Sequence, residues 1–177
     1  MQMGQTVLLE PWIWSREAIA AGEFWRLLTG HVVHLDLWHF AVNGGGALAL
    51  WIIFRKELPV RYVLWVFAGS LLAINIGLWY FSDLSDYAGL SGVLHGIAAA
   101  GIYRWIQLRD PWGWVLAVLG VSKLAMEHIS SPTMLDASYR LAAEAHLFGA
   151  IGGLSVAVLS VFFRLIPDTQ EARSGHR

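Results

Sequence analysis

Apolar residues in this chain come in long runs separated by short polar links. Five runs stand out, near Leu37–Phe54, Val60–Phe81, Ala88–Ile106, Trp112–Met126 and Ala142–Phe163. A helix needs about 20 residues, within a range of roughly 17–25, to cross the hydrocarbon core of a bilayer. Each run therefore predicts a spanning helix, although the fourth is short and carries Lys123. The runs are too long for barrel strands and lack period-two alternation, so helices are the way to satisfy the backbone in lipid. The expected fold is all-α: a polytopic transmembrane helical bundle over residues 1–163, followed by a polar tail over 164–177. No internal repeat or low-complexity segment interrupts it.

Composition strengthens the membrane reading. The chain has 177 residues, room for one domain. Apolar residues make up 56% and charged ones 14%, against roughly 45–50% and 25% in soluble domains. So few charges cannot cover a water-exposed surface of this size. The 10 Trp and 18 Gly agree, since Trp favours bilayer interfaces and Gly is commoner in membrane helices. A net charge of −1 gives no reason to expect a nucleic-acid partner. The absence of Cys excludes a disulfide, a thiolate nucleophile and a Cys-ligated metal. The first 15 residues have neither the basic start nor the apolar run of a cleavable signal peptide.

Lys and Arg orient the spans. Arg55, Lys56, Arg61, Arg104, Arg109, Arg164, Arg173 and Arg177, eight of the 12 basic residues, fall on one side. Arg16, Arg26 and Arg140 fall on the other. The positive-inside rule makes the first side cytoplasmic, and the acidic link around Asp83 and Asp86 then faces outward. Spans one, three and five run inward from the outer face, so His39, Ser91 and His146 share a depth about one turn, roughly 5 Å, below it. Polar groups inside a bilayer are costly and mark function by default.

Ser91 lies in Gly89-Leu90-Ser91-Gly92 at a helix start. The flanking glycines would let a substrate backbone approach closely, although Gly and Ser also serve routinely in membrane helix packing. A serine nucleophile needs a base, and two histidines could serve. His95 is one turn deeper on the same helix. His146 comes from another span, followed by Gly149 and Gly153, whose small-residue face would bring spans three and five close. His39 and Asn43, four apart on one face, could supply oxyanion donors or simply cap and pack. Other chemistries fit less well. There is no HExxH zinc motif and no buried Asp pair. His31, His34 and His39 have a spacing that fits no standard metal site. No metal and no cofactor are expected.

Together these residues resemble the rhomboid family of intramembrane serine proteases. The resemblance rests on Trp25-Arg26 with Thr29, then His34, His39-x-x-x-Asn43, Gly89-Leu90-Ser91-Gly92 and Ala145-His146-x-x-Gly149-x-x-x-Gly153, in that order along most of the chain. It implies Ser91 as nucleophile, His146 as base in a dyad without an acid, and His39 and Asn43 lining an oxyanion hole with the Ser91 N–H. His95 stands where many bacterial members stack a Tyr on the base, which implies a supporting role. The run Trp25–His31, Gly-Val-Leu-His-Gly at 92–96 and Lys123-x-x-x-Glu127 look like the rhombosortase branch. That branch implies substrates anchored in the bacterial inner membrane by a C-terminal sorting helix with a Gly-Gly motif. One departure is that rhomboids carry a helix before the first outer loop, of which Val7-Leu8-Leu9 would be a stub.

Two further readings compete. A catalytically inactive relative would bind membrane clients, but such proteins typically lose the Ser or the His. A small transporter would spread its polar residues along a path through the bilayer, whereas these cluster at one depth. Lys123 and Glu127, one turn apart, are either a self-neutralising pair or a contact for the polar part of a client's tail.

Overall fold

A computed structural model describes residues 10–129 and 137–162. The Val7-Leu8-Leu9 stub, the side chain of Arg140 and the 164–177 tail with its three arginines lie outside the described residues. The elements run β1 (Trp14–Ser15), α1 (Arg16–Ala20), α2 (Arg26–Thr29), α3 (Leu37–Phe54), α4 (Val60–Phe81), β2 (Asp86–Tyr87), α5 (Ser91–Gln107), α6 (Pro111–Ile129) and α7 (Ala137–Phe162).

Each of the five apolar runs is a helix. Of these, α3, α4 and the 143–161 stretch of α7 are long and apolar enough to cross a membrane. The helix starts follow local chemistry. Asp36 accepts the His39 N–H at 2.6 Å and caps α3. Pro111 opens α6, with Asp110 accepting the Trp112 N–H at 3.0 Å. α5 begins at Ser91, later than the apolar run, because Gly89 has a φ of 131° that no helix accommodates. α7 begins at Ala137, before the expected Ala142. Its first residues include Ser138 and Arg140, and hydropathy marks where a helix enters lipid rather than where it starts. His146 therefore sits well inside its helix, not one turn from its beginning.

α7 packs against both α4 and α5, and glycine makes the contact close. A methyl group at Gly149 would lie 1.9 Å from the Gly92 carbonyl oxygen, and one at Gly153 would lie 2.1 Å from that of Gly96. On the α4 side, a methyl at Gly152 would stand 2.6 Å from the Gly69 carbonyl. Backbones meet directly along these lines. α6 lies beside α5 and α7. α3 packs mainly on α5 and buries Phe54 in a cluster with Tyr62, Val66, Ala100 and Ala157, while Leu37, Trp38, Phe40, Val42, Leu48 and Trp51 stay exposed. Exposed apolar side chains continue over α4, α6 and α7. Such a surface is stable only against lipid, and the chain is an integral membrane protein.

The segment before α3 folds over one end of the bundle. β1 pairs antiparallel with β2, Trp14 opposite Tyr87. Trp14 is fully buried and donates its indole N–H to Asn75 Oδ1 at 3.0 Å. Arg16 donates to the carbonyls of Leu78, Trp79, Ser82 and Leu84 at 2.5–3.1 Å, closing the orphaned C-terminus of α4. Arg26, also buried, bonds Glu23 at 2.6 Å and the carbonyls of Glu10 and Ile13. Thr29 Oγ1 donates to Trp12 O at 2.7 Å.

Candidate active site

Two hydrogen bonds fix the link before α5, one from the overlying segment and one from β2. Gly89 N–H donates to Gly30 O at 2.9 Å, and the Tyr87 hydroxyl donates to Gly89 O at 2.6 Å. Burial pushes the Tyr87 phenol up to about 12 and so keeps it a neutral donor. Against Tyr87 lies His31, fully buried, ring centroids 5.4 Å apart. Burial lowers His31 to about 4, so it packs as a neutral imidazole. Gly30 has no room for a side chain, since a methyl there would lie 2.6 Å from the backbone of Trp14.

These ties fix Ser91 at the first position of α5, where backbone N–H groups have no partner within the helix. Its Oγ lies 2.9 Å from His146 Nε2. The two residues are 55 positions apart, on the helices that glycine brings into contact. Gly92 makes that approach possible, since a methyl there would stand 2.8 Å from Ala145 O. Gly92 thus faces α7, which favours the helix-packing alternative over the approach of a substrate backbone. His95, the other histidine, turns its Nδ1 to Ser91 O at 2.7 Å and stacks on His146, with centroids 4.0 Å apart and planes at 20°. Its ring nitrogens are directed to Ser91 O and Lys123, not to Ser91 Oγ.

His39 and Asn43 approach from α3. The His39 ring lies over Gly89, where a methyl would come within 2.7 Å of Cε1. Asn43 is buried and donates one amide hydrogen to His39 O at 3.0 Å, which leaves its second hydrogen for another acceptor. His34 meets His39 edge-on at 5.1 Å.

Lys123 and Glu127 are placed in a way the sequence did not foretell. Glu127 Oε2 lies 2.9 Å from His146 Nδ1. Its other oxygen pairs with Lys123, whose Nζ also lies 2.9 Å from His95 Nε2. A carboxylate therefore stands behind His146, where the resemblance implied a dyad without an acid. The available signal was an ionisable pair within a span at the end that carries Ser91. Among the described residues, His95, Glu127 and His146 also form a set of three possible metal donors within 4.8 Å of one another. Lys123 already bonds two of them, and the two imidazoles lie in stacked, nearly parallel planes, so their in-plane lone pairs do not share one plane.

Residues 21–162 match the Rhomboid domain family. Over 145 residues the chain is 27% identical to the Bacillus subtilis (strain 168) protein named "Putative rhomboid protease YdcA", covering 81% of this chain and 70% of that one. Over 143 residues it is 30% identical to "Rhomboid protease GluP" of the same strain, covering 78% of this chain and 26% of the relative, so it spans about a quarter of that protein. No solved structure matches significantly. With the match running from the segment before α3 to the end of α7, the chain belongs to the rhomboid family.

Proposed function

We propose that this protein is an intramembrane serine endopeptidase with Ser91 as nucleophile and His146 as base. The observation that carries the reading is the 2.9 Å approach of Ser91 Oγ to His146 Nε2. Ser91 Oγ attacks the scissile carbonyl while His146 Nε2 takes its proton. The oxyanion is met by the Ser91 N–H, in the first turn of α5 where the helix itself offers no acceptor, and by His39 and Asn43 from α3. His146 then returns the proton to the leaving amine, and water, activated by the same ring, hydrolyses the acyl-enzyme. Gly89, Gly92, Gly149 and Gly153 support this geometry, and His95 supports the ring of His146.

Membrane-anchored proteins are the substrates, and the branch features at 25–31, 92–96 and 123–127 favour C-terminal sorting helices with a Gly-Gly motif. The rhombosortase-like features favour a bacterial inner-membrane location. The basic residues at the far end of the bundle, Arg55, Lys56, Arg61, Arg104 and Arg109, bear on orientation and favour a periplasmic active site and a cytoplasmic C-terminus.

A fluorophosphonate reacts only with an activated serine. The purified protein is expected to take the label, and Ser91→Ala and His146→Ala each to lose both label and proteolysis while still inserting. The double variant should be no worse than either single one, because the two act as a unit. Retained cleavage in His146→Ala with loss in His95→Ala would reassign the base. An unlabelled wild-type protein would remove the enzyme reading altogether.

A further inference from the structure

We infer that Glu127 is a positioning residue that turns the Ser91–His146 pair into a triad, held in place by Lys123 and His95. The inference rests on the proposed protease reading and adds the members that make its base work.

The contacts form a closed ring. Ser91 Oγ meets His146 Nε2 at 2.9 Å, and His146 Nδ1 meets Glu127 Oε2 at 2.9 Å. The other Glu127 oxygen pairs with Lys123, Lys123 Nζ meets His95 Nε2 at 2.9 Å, and His95 Nδ1 returns to Ser91 O at 2.7 Å. One assignment of hydrogens satisfies every contact. Lys123 has only donors, so His95 Nε2 must accept from it. His95 Nδ1 then carries the hydrogen and donates to the Ser91 carbonyl. Glu127 as a carboxylate only accepts, so His146 Nδ1 carries the hydrogen there. That choice leaves the lone pair of His146 Nε2 facing the Ser91 hydroxyl, the tautomer a general base requires. Without an acceptor behind Nδ1, nothing selects this tautomer over the one that points a hydrogen at the serine.

The carboxylate has a second effect. When His146 accepts the serine proton it becomes a cation in a mostly buried place, and Glu127, itself mostly buried, compensates that charge. A lone carboxylate within a membrane span would be costly, and Lys123 offsets it. The Lys123 side chain is 52% exposed whereas that of Glu127 is 11% exposed. The lysine thus faces outward as a tethered counter-ion, and the glutamate faces the base.

Rates of fluorophosphonate labelling, measured beside cleavage of a Gly-Gly sorting-tail substrate, test this directly. The small probe needs an activated serine but no tail recognition. Glu127→Gln keeps the shape and removes the charge, and is expected to slow labelling by about 100-fold or more. Cleavage should fall by a similar factor in kcat with little change in KM, and Glu127→Asp should restore part of it. The charge swap Lys123→Glu with Glu127→Lys keeps an ion pair but takes the carboxylate away from His146, and it should lose labelling too. Normal labelling with lost cleavage in these variants would overturn the inference in favour of tail recognition. Normal labelling with normal cleavage would overturn it in favour of a purely structural pair. An unlabelled wild-type protein, by contrast, would refute the protease reading on which the inference rests.

Discussion

The contact between α5 and α7 and the edge helix α3 bring different things to one site. Ser91 and His146 sit on helices whose backbones touch, with no room for even a methyl group at Gly92, Gly149 or Gly153. His39 and Asn43 sit on a helix whose outer surface is lipid-facing and which meets the bundle mainly along α5, with Phe54 at its far end packed near Tyr62 and Val66 of α4. The proposed proton transfer between Ser91 and His146 needs a separation fixed to a few tenths of an ångström, and interlocked backbones supply it. Oxyanion donors need to meet an oxygen that exists only once substrate has entered. A peripheral helix leaves space for that entry. Gly89 joins the two regions, since its φ of 131° and the His39 ring above it place α3 against the start of α5.

Breaking the close contact should have the largest effect. A methyl at Gly149 would meet a carbonyl oxygen of Gly92 at 1.9 Å, and backbone on both sides cannot yield as a flexible side chain would. Overpacking of this kind costs about 1–3 kcal/mol and sometimes more. Misplacing reacting groups by about 1 Å costs roughly 100-fold in rate. Gly149→Ala is therefore expected to lower both thermal stability in detergent and the rate of fluorophosphonate labelling. A variant with wild-type melting and wild-type labelling would show that the two helices are not held as closely as described.

Changing α3 should separate rate from stability. His39→Ala or Asn43→Ala is expected to lower kcat by about 10-fold to 1,000-fold, the usual effect of losing one oxyanion donor. KM and melting temperature should change little, since His39 is not buried and Asn43, though buried, bonds the carbonyl of its own helix at His39 and lies outside the glycine contacts between α5 and α7. A fall in melting temperature as large as that in Gly149→Ala, with kcat preserved, would make these residues packing elements instead.

Much of this contrast is legible in the sequence. The bounds of α3 and α4 coincide with the apolar runs because a polar residue or proline stands at each start, Asp36 and Pro59. The Gly149–Gly153 face points to a close approach of spans three and five because small residues four apart have few other uses in lipid. Other features do not show in a linear reading. Gly92 reads equally well as a substrate-approach glycine and as a helix-contact glycine, and only the partner at Ala145 O distinguishes them. Glu127 pairs with Lys123 at four-residue spacing, which accounts for both charges and hides the second oxygen turned to His146. Trp14 and Arg16 lie in a segment with no periodicity, and their partners Asn75 and Leu78 are about 60 residues away.

The smallest effect should come from the glycines of α3 itself. Gly44, Gly45 and Gly46 form a run that composition alone would assign to close helix packing, as for Gly149. Their surroundings differ: methyl groups at Gly44 and Gly45 would meet nothing within 4 Å, and one at Gly46 would make an ordinary 3.4 Å contact with Leu94. With nothing to displace, the remaining consequence of Gly→Ala is the backbone preference, worth about 0.8–1.0 kcal/mol in favour of the helix in water. Gly44→Ala and Gly45→Ala should therefore leave melting unchanged or slightly raised and labelling of Ser91 within about twofold, the opposite of the same substitution at Gly149. A drop of several degrees in melting temperature would mean that α3 packs on the bundle through this face. It would then be no looser than α5 and α7, and the contrast between the two regions would fail.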